Sequence, residues 1–493
     1  MESTRPLSRF EQGLLLLTTV EPGDGRRVAA LGLQALALMV AYYLLRPVRE
    51  ALILTQGSAE LRSYAVGLQA CVLLPLVPLY GALVRKVGAR RVLGVLALHA
   101  AAQLALFCGL GLAGFAVGFA FFAWVGIFGV LMVSQFWALA TDLLTVESGQ
   151  RLFGVIAAAV AGGAWLGARI ASACFAILGP YGLMLLSAAL LCTAALASRW
   201  VVACAAPRIA HAAPPLRDPG ARRADRLLGG FAFIARSPYL AGIAALVVLL
   251  NWITSTGEFV LSGWLVEFAR AQAPGAEAAF IGAFMGRYGA SIALLGFLVQ
   301  LLVVSRTIRF AGLARALLVT PVAFVAGFLL IGALPAFAVL QCVLITQKSL
   351  DYSLFNTTRS ALLLPTDRDA KFQAKTTIDT VFYRLGDLLS TLSVFVGVRV
   401  LTASRAEFLA LVLALSVGLT LAAWRVGREY SRRAAAYHRD CSPQGPLDDD
   451  DGREDRAPGQ PALSRPAAGR ARADRRAGRA TPLPQRRDRL LAG

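Results

Sequence analysis

Apolar stretches near the length of a membrane-crossing helix alternate with short polar or glycine-rich turns along most of the chain. Twelve can be read, at 28–55, 62–84, 92–112, 115–141, 152–178, 181–205, 238–268, 279–304, 312–334, 336–358, 374–402 and 406–424. A helix needs about 20 mostly apolar residues to cross about 30 Å of hydrocarbon at 1.5 Å per residue. In the first stretch Arg46-Pro47 interrupts the pattern. Proline kinks membrane helices without necessarily ending them, so one long bent helix is expected there.

The longest polar connection, roughly Ala206 to Gly229, is rich in alanine, proline and arginine and divides the spans six and six. The chain therefore reads as an N-terminal segment 1–27 without a signal-peptide pattern, a six-helix bundle 28–205, a linker 206–237, a second six-helix bundle 238–424, and a tail 425–493. The tail carries the acidic run Asp448 to Asp451 and then Pro/Arg/Ala-rich sequence, a composition that favours disorder. Its arginines could attract anionic lipid, although a merely solvated tail is the simpler reading. A duplication is faintly visible. The basic loop Gly81 to Arg91 between spans two and three has an echo in Ser305 to Arg309 between spans eight and nine. Arg151-Leu-Phe with Leu166-Gly167 is echoed by Lys371-Phe with Leu385-Gly386. The expected fold class is an all-α membrane protein with two similar six-helix bundles, the major facilitator architecture.

Composition agrees with this picture. Of 493 residues, 57% are hydrophobic and 16% charged, against about 45–50% and about 25% in soluble domains. The net charge of +20, from 49 Lys and Arg against 29 Asp and Glu, would suggest nucleic acid in a soluble chain. Here the bases sit in alternate connections: Arg85, Lys86, Arg90 and Arg91; Arg208, Arg217, Arg222, Arg223 and Arg226; Arg306 and Arg309; Arg359, Arg368 and Lys371. The opposite connections are nearly bare, so the positive-inside rule predicts a multi-pass protein of the cytoplasmic (inner) membrane with both termini cytoplasmic. No nucleic-acid partner is needed, and a monomer is expected. The seven cysteines lie mostly in apolar runs without a CxxC pair, and His99, His211 and His438 share no metal-ligand spacing. Neither a metal nor a cofactor is expected, and no nucleophile-and-base arrangement suggests an enzyme.

A charge at a helix centre costs about 2.5–3.5 kcal/mol on insertion scales, so charges kept there are usually paired or functional. Span one has Arg46, Arg49 and Glu50; span four ends in Asp142; span five carries Arg169; span seven has Glu258 within Thr254-Ser-Thr-Gly-Glu258. Span eight opens with Arg287, span ten carries Lys348 and Asp351, and span eleven carries Lys375, Asp379, Arg384 and Asp387. Arg46 and Arg49 share a helix face, Glu50 is four residues from Arg46, and Lys348/Asp351 and Arg384/Asp387 are three apart. Such spacings allow local pairs that merely hold the bundle together. Taken together, Arg46, Arg49, Lys348, Lys375 and Arg384 lie in or beside helices that line the cavity of this architecture. They are therefore the candidate substrate-binding residues for an anion, arginine offering a planar fork suited to phosphate or carboxylate. Lysine is otherwise nearly absent; Lys86, Lys348, Lys371 and Lys375 are the only four. Glu50, Asp142, Glu258, Asp351, Asp379 and Asp387 are the candidate charge-coupling residues.

Several segments resemble the ATP/ADP translocase family, the NTP/NDP exchange transporters of plastids and intracellular bacteria, and within it a divergent bacterial branch. They are Tyr43-Leu-Leu-Arg-Pro-Val-Arg-Glu-Ala-Leu52, Phe136-Trp-Ala-Leu-Ala-Thr-Asp-Leu-Leu-Thr145 with Arg151-Leu-Phe-Gly154, Lys348-Ser-Leu-Asp-Tyr-Ser-Leu-Phe355, and Ala374-Lys-Thr-Thr-Ile-Asp-Thr380 with Leu385-Gly386. They spread over about residues 28–430, and the last two, linked by Leu364-Pro-Thr-Asp367, are the most specific. The resemblance implies a twelve-helix antiporter that exchanges adenine nucleotides through a basic cavity, with ATP and ADP as cargo. The family's charged positions fall here on Arg49, Asp142, Glu258 and Lys375. Arg49 stands where lysine is common and Asp142 where glutamate is, so charge sign is kept at both. The function expected is secondary transport of a nucleotide-like anion by alternating access. A proton- or ion-coupled carrier of another organic anion and a non-transporting membrane scaffold are the alternatives.

Overall fold

A computed structural model describes residues 24–87, 89–144, 146–209, 223–366 and 368–441, together with residues 11, 12, 19 and 21. These residues are helical almost throughout, and no strand occurs among them. The first four long helices are α1 (Asp24–Gln56), α2 (Ala59–Val87), α3 (Ala89–Leu112) and α4 (Gly118–Leu143). Helix α5 (Val146–Ile209) holds both the fifth and the sixth expected spans, and its path breaks at Gly179, with φ 62° and ψ −176°. Glycine takes that left-handed φ without the clash a Cβ would meet. Helix α6 (Arg223–Arg236) lies within the expected linker, and α7 (Pro238–Gln272) follows it. The Ser237 hydroxyl accepts the Leu240 N–H at 3.4 Å and Pro238 opens the first turn, a start signal for α7 readable in the sequence.

The remaining helices contain wide turns. Helix α8 (Glu277–Val299) continues through a π-helical turn, Gln300–Val304, into Ser305–Ala311. Gly312, at φ 75°, separates it from α9 (Leu313–Ala333). Helix α10 (Phe337–Leu350) passes through the π turn Asp351–Phe355 into Asn356–Leu362. Helix α11 starts at Arg368–Thr377, widens at Ile378–Phe382, continues as Tyr383–Phe395 and ends in a second wide turn, Val396–Val400. Helix α12 is Arg405–Cys441.

Among the described residues nine stretches are long and apolar enough to cross a membrane. One of them, Arg151–Ser198, spans the Gly179 break and so takes in two of the expected crossings. The expected spans at 62–84 and 336–358 are not among the nine. In α10 the reason is visible in its polar positions, Gln341, Thr346, Gln347, Lys348 and Asp351.

Two boundaries differ from the sequence expectation. Helix α12 runs on past 424, and the Arg433 guanidinium lies 4.6 Å from the Tyr239 ring at the start of α7. The Tyr239 hydroxyl in turn donates to the Leu362 carbonyl at 2.7 Å, so the first part of the expected tail is helix packed on the bundle. Helix α6 brings Phe231 to 5.8 Å from Phe382 of α11 and buries Ile234, which fastens the end of the linker. Most of the N-terminal segment 1–27, the linker's 210–222 and the tail's 442–493 lie outside the described residues.

Lipid tails are as apolar as leucine, so helices in a bilayer associate through close packing and interhelical hydrogen bonds. Both are present between α1 and α5. A Cβ at Gly167 would lie 2.6 Å from the Val40 carbonyl oxygen, so only glycine lets these backbones approach. Ser187 donates to the Ala41 carbonyl at 2.9 Å, and Gln34 Nε2 donates to Ser198 Oγ at 2.5 Å. A polar seam joins α7 to α11: Asn251 to the Tyr383 carbonyl at 2.7 Å, Trp252 Nε1 to Ser393 at 2.9 Å, and Ser255 Oγ to Asp387 at 2.9 Å. The two halves meet where α8 packs on α5 and α1, and where α2 packs on α11 and α7. At the α2–α11 contact Thr391 Oγ1 donates to the Ser63 carbonyl at 3.0 Å, and Arg399 pairs with Glu60 at 2.5 Å.

Candidate functional site

The site begins on α1, where Arg46 and Arg49 fall three residues apart on one face and Glu50 follows. That face borders a cavity between the halves. It is lined also by Tyr43 of α1, Arg62 of α2, Ala168 of α5, Glu258 and Ser262 of α7, Met285 and Tyr288 of α8, and Lys348 and Tyr352 of α10. Its volume of ≈ 80 Å³ holds a handful of waters, at about 10–15 Å³ each. In this conformation the cavity is too narrow for a large solute.

Inside it five charges form one continuous chain. Arg49 Nη2 lies 3.3 Å from Glu50 Oε1, and Arg62 Nε lies 2.6 Å from Glu50 Oε2. Arg62 Nη2 reaches across to Glu258 Oε2 at 2.8 Å, and Glu258 Oε1 is held by Lys348 Nζ at 2.5 Å. Three cations against two carboxylates leave one positive charge, and Arg46 adds a second. Removing charges from water costs several kcal/mol per ion, offset only where each finds opposite charge and hydrogen bonds. Each carboxylate here has two cationic donors, so losing one contact does not strand it. Aromatic rings cover the cations: Arg49 and Arg62 lie 4.5 and 5.5 Å from the Phe122 ring centre, and Lys348 lies 5.8 Å from Tyr352.

At this cavity one cation lacks a carboxylate and two polar atoms lack a hydrogen-bond partner. Among the described residues no carboxylate comes within 4.0 Å of Arg46, whose guanidinium lies 5.1 Å from the Tyr43 ring centre. The buried Tyr288 hydroxyl and Arg49 Nε have no hydrogen-bond partner. Buried polar atoms normally find partners, so these three can receive an acceptor-rich solute.

Of the residues singled out in the sequence, the cavity gathers Arg46, Arg49, Glu50, Glu258 and Lys348. It does not gather the rest. Lys375 is half-exposed and pairs with Asp379 at 3.1 Å, and Asp379 is also held by Arg359 at 2.8 Å. Arg384 pairs with Asp387 at 3.1 Å, and Asp387 accepts from Ser255. Neither Lys375 nor Arg384 is among the residues lining the cavity, since both are drawn to a carboxylate on their own helix. Asp142 is exposed near the end of α4, away from the cavity lining. Asp351 lies in a neighbouring cavity of ≈ 180 Å³ with Asn251, Arg359 and Tyr383, and Tyr352 borders both cavities.

The charged residue of the cavity that the sequence did not single out is Arg62, and Tyr43, Tyr288 and Tyr352 were not singled out as site residues either. Arg62 falls at the edge of an expected span, where an arginine reads as an interfacial anchor. One signal was available: only the turn around Gly57-Ser58 separates it from α1, so a helical hairpin sets it opposite Glu50.

Comparison with known proteins places this geometry in context. The solved structures it resembles include a nucleoside transporter, NupG (D323A mutant), at TM-score 0.61 and 14% identity, covering 81% of this chain and 99% of that one. They also include a POT family transporter in complex with 5-aminolevulinic acid (TM-score 0.59, 13% identity, 82% and 96% covered). A third is a bacterial homologue of the iron transporter ferroportin in an inward-facing state (TM-score 0.57, 17% identity, 82% and 98% covered). At these identities the likeness is one of fold, that of major facilitator-like transporters. A curated relative, ADP,ATP carrier protein 2 of Chlamydia trachomatis serovar D, is 27% identical over 235 residues, and the match spans 42% of this chain and 42% of that carrier. The model of the TLC ATP/ADP transporter family matches residues 119–430, well over half of the sequence, and the chain belongs to that family.

Proposed function

We propose that the protein is a secondary transporter that moves a nucleotide-like anion across the cytoplasmic membrane by alternating access, in the manner of ATP/ADP exchange, without a covalent step. The observation that carries this reading is Arg46, a guanidinium with no carboxylate within ion-pair distance among the described residues, bordering a cavity in which Arg62 and Glu258 join the two halves. An entering phosphate chain can take Arg46 and then compete with Glu50 and Glu258 for Arg49, Arg62 and Lys348. Moving Arg62 from Glu258 to the solute breaks the one ion pair of this five-charge chain that joins the halves, which couples binding to rocking. The solute thereby acquires the partners it needs to leave water. The positive-inside pattern supports both termini being cytoplasmic, and a single chain has every group the cycle uses.

Exchange in proteoliposomes tests this. With ADP loaded inside, labelled ATP should enter saturably, Arg46→Ala should abolish that uptake, and Arg46→Lys should keep part of it. Undiminished exchange by Arg46→Ala would remove the binding role. A proton-coupled carrier is the second reading, favoured by Asp351, which borders the second cavity and has no ion pair among the described residues.

A further inference from the structure

Two arginines lie outside the ion-pair chain, on the far side of the α5–α8 contact. Ala168 faces Gly289, Ser172 faces Gly286 and Phe175 faces Gly282, so the two helices run antiparallel. A hydrogen bond from Ser172 Oγ to the Ala283 carbonyl at 3.0 Å fixes them together, and a Cβ at Gly286 would lie 2.7 Å from the Ser172 nitrogen. Arg169 comes one residue after Ala168, and Arg287 one residue after Gly286. One residue turns a helix by about 100°, and in an antiparallel pair these two turns lead to the same side of the seam.

That side faces away from the cavity. Met285, which lines the cavity, is two residues and about 200° from Arg287. Arg169 is exposed between Trp165 and Leu166, themselves 39% and 37% exposed, while Arg287 is exposed in line with Leu294 and Leu298 at 46% and 40%. Exposed apolar side chains along a membrane-crossing helix are its lipid-facing strip. Among the described residues no carboxylate lies within 4.0 Å of either guanidinium.

Both sit at one depth. Arg169 is nine residues before the end of the 152–178 span and Arg287 eight after the start of the 279–304 span, on the side of the membrane where the first ends and the second begins. Those spans are about 40 Å long, so their ends stand about 5 Å clear of a 30 Å hydrocarbon core. Each Cα is then about 8 Å below the headgroups, close enough for an arginine side chain to snorkel to them.

We propose that Arg169 and Arg287 form one anion site on the lipid-facing side of the seam, and that it takes the phosphate of an anionic phospholipid. Two guanidiniums can share a phosphate's oxygens through charge-assisted hydrogen bonds, and an anionic headgroup brings the charge that nothing in the chain supplies. The acyl chains would lie along the strip of Trp165 and Leu294. Because one arginine comes from each half, the lipid would bridge them only while the seam is closed.

The test is thermal unfolding of the purified full chain, titrated separately with phosphatidylglycerol, phosphatidylcholine and inorganic phosphate. Phosphatidylglycerol should raise the melting temperature and the other two should not. Arg169→Gln/Arg287→Gln should weaken the apparent phosphatidylglycerol affinity about tenfold without changing the response to phosphatidylcholine. Arg169→Lys/Arg287→Lys should keep a phosphatidylglycerol response, and native mass spectrometry should find fewer retained phosphatidylglycerol molecules on the Gln variant than on the wild type. Equal phosphatidylglycerol curves for the wild type and the Gln variant would overturn the site. Stabilisation by inorganic phosphate as strong as by lipid would overturn the lipid as its occupant.

Discussion

Arg62 Nη2 and Glu258 Oε2 meet at 2.8 Å, joining two helical halves through residues 196 positions apart. Neither belongs to the other alone. Arg62 also holds Glu50 at 2.6 Å, and Glu258 also holds Lys348 at 2.5 Å. A cross-half contact whose two ends each keep a second partner can open without leaving a bare buried charge.

Deleting the shared cation altogether, in Arg62→Ala, should still be costly. It leaves Glu50 and Glu258 near one another with the shared cation gone and only Arg49 and Lys348 to hold them, so the loss should stay below the about 3–5 kcal/mol of a fully stranded buried charge. Thermal unfolding in detergent should show the loss, and adding Glu258→Gln should restore part of it. Additive effects in that double-mutant cycle would show that the two side chains do not interact.

Tyr288→Phe separates binding from folding. The Tyr288 hydroxyl is buried without a partner, so removing it should leave the melting temperature unchanged or slightly higher. If the hydroxyl meets the solute, the same variant should raise the KM for exchange several-fold. An unchanged KM would assign the hydroxyl no part in recognition.

The α2–α11 contact can be locked. A Cβ at Gly67 would lie 3.1 Å from Thr391 Cβ, slightly closer than the usual ~3.8 Å of a disulfide, so a small backbone shift makes the bridge feasible. In a background without the native cysteines, Gly67→Cys/Thr391→Cys should exchange solute when reduced and stop when oxidised. Full transport by the oxidised protein would show that this contact need not open.

Asp351→Asn distinguishes exchange from proton coupling. Uptake driven by solute exchange should survive it with the same dependence on external pH. A carrier that loads a proton on Asp351 should lose its response to a pH gradient while still exchanging solute.

The length and spacing of the apolar runs made the helices legible. Local spacing was a poorer guide to the charges. Three- and four-residue separations anticipated Arg384 with Asp387, and the structure pairs them at 3.1 Å. The same rule would join Arg46 to Glu50 and Lys348 to Asp351, and neither pair forms among the described residues. Glu50 is taken by Arg62 from the next helix and Lys348 by Glu258 of α7 within the same half, while α10 widens into a π turn from Asp351 onward. Contacts between distant helices decide these partners, and a one-dimensional pattern does not encode them. The expected twofold likeness of the halves likewise gave no warning that α1 carries two cavity arginines, Arg46 and Arg49, on either side of Pro47.

The π turns have a mechanical meaning. Among the described residues they occur only in α8, α10 and α11, all in the second half. Each stores one surplus residue that a neighbouring segment can absorb, letting the helix slip by a single register step. Such a slip swings every side chain beyond it through about a quarter turn. In α10 and α11 that would carry Arg359 and Asp379 out of alignment, so the second half has places to yield from within that the described residues of the first half lack. In the proposed transport cycle the give would then be lopsided, drawn more from the second half than from the first.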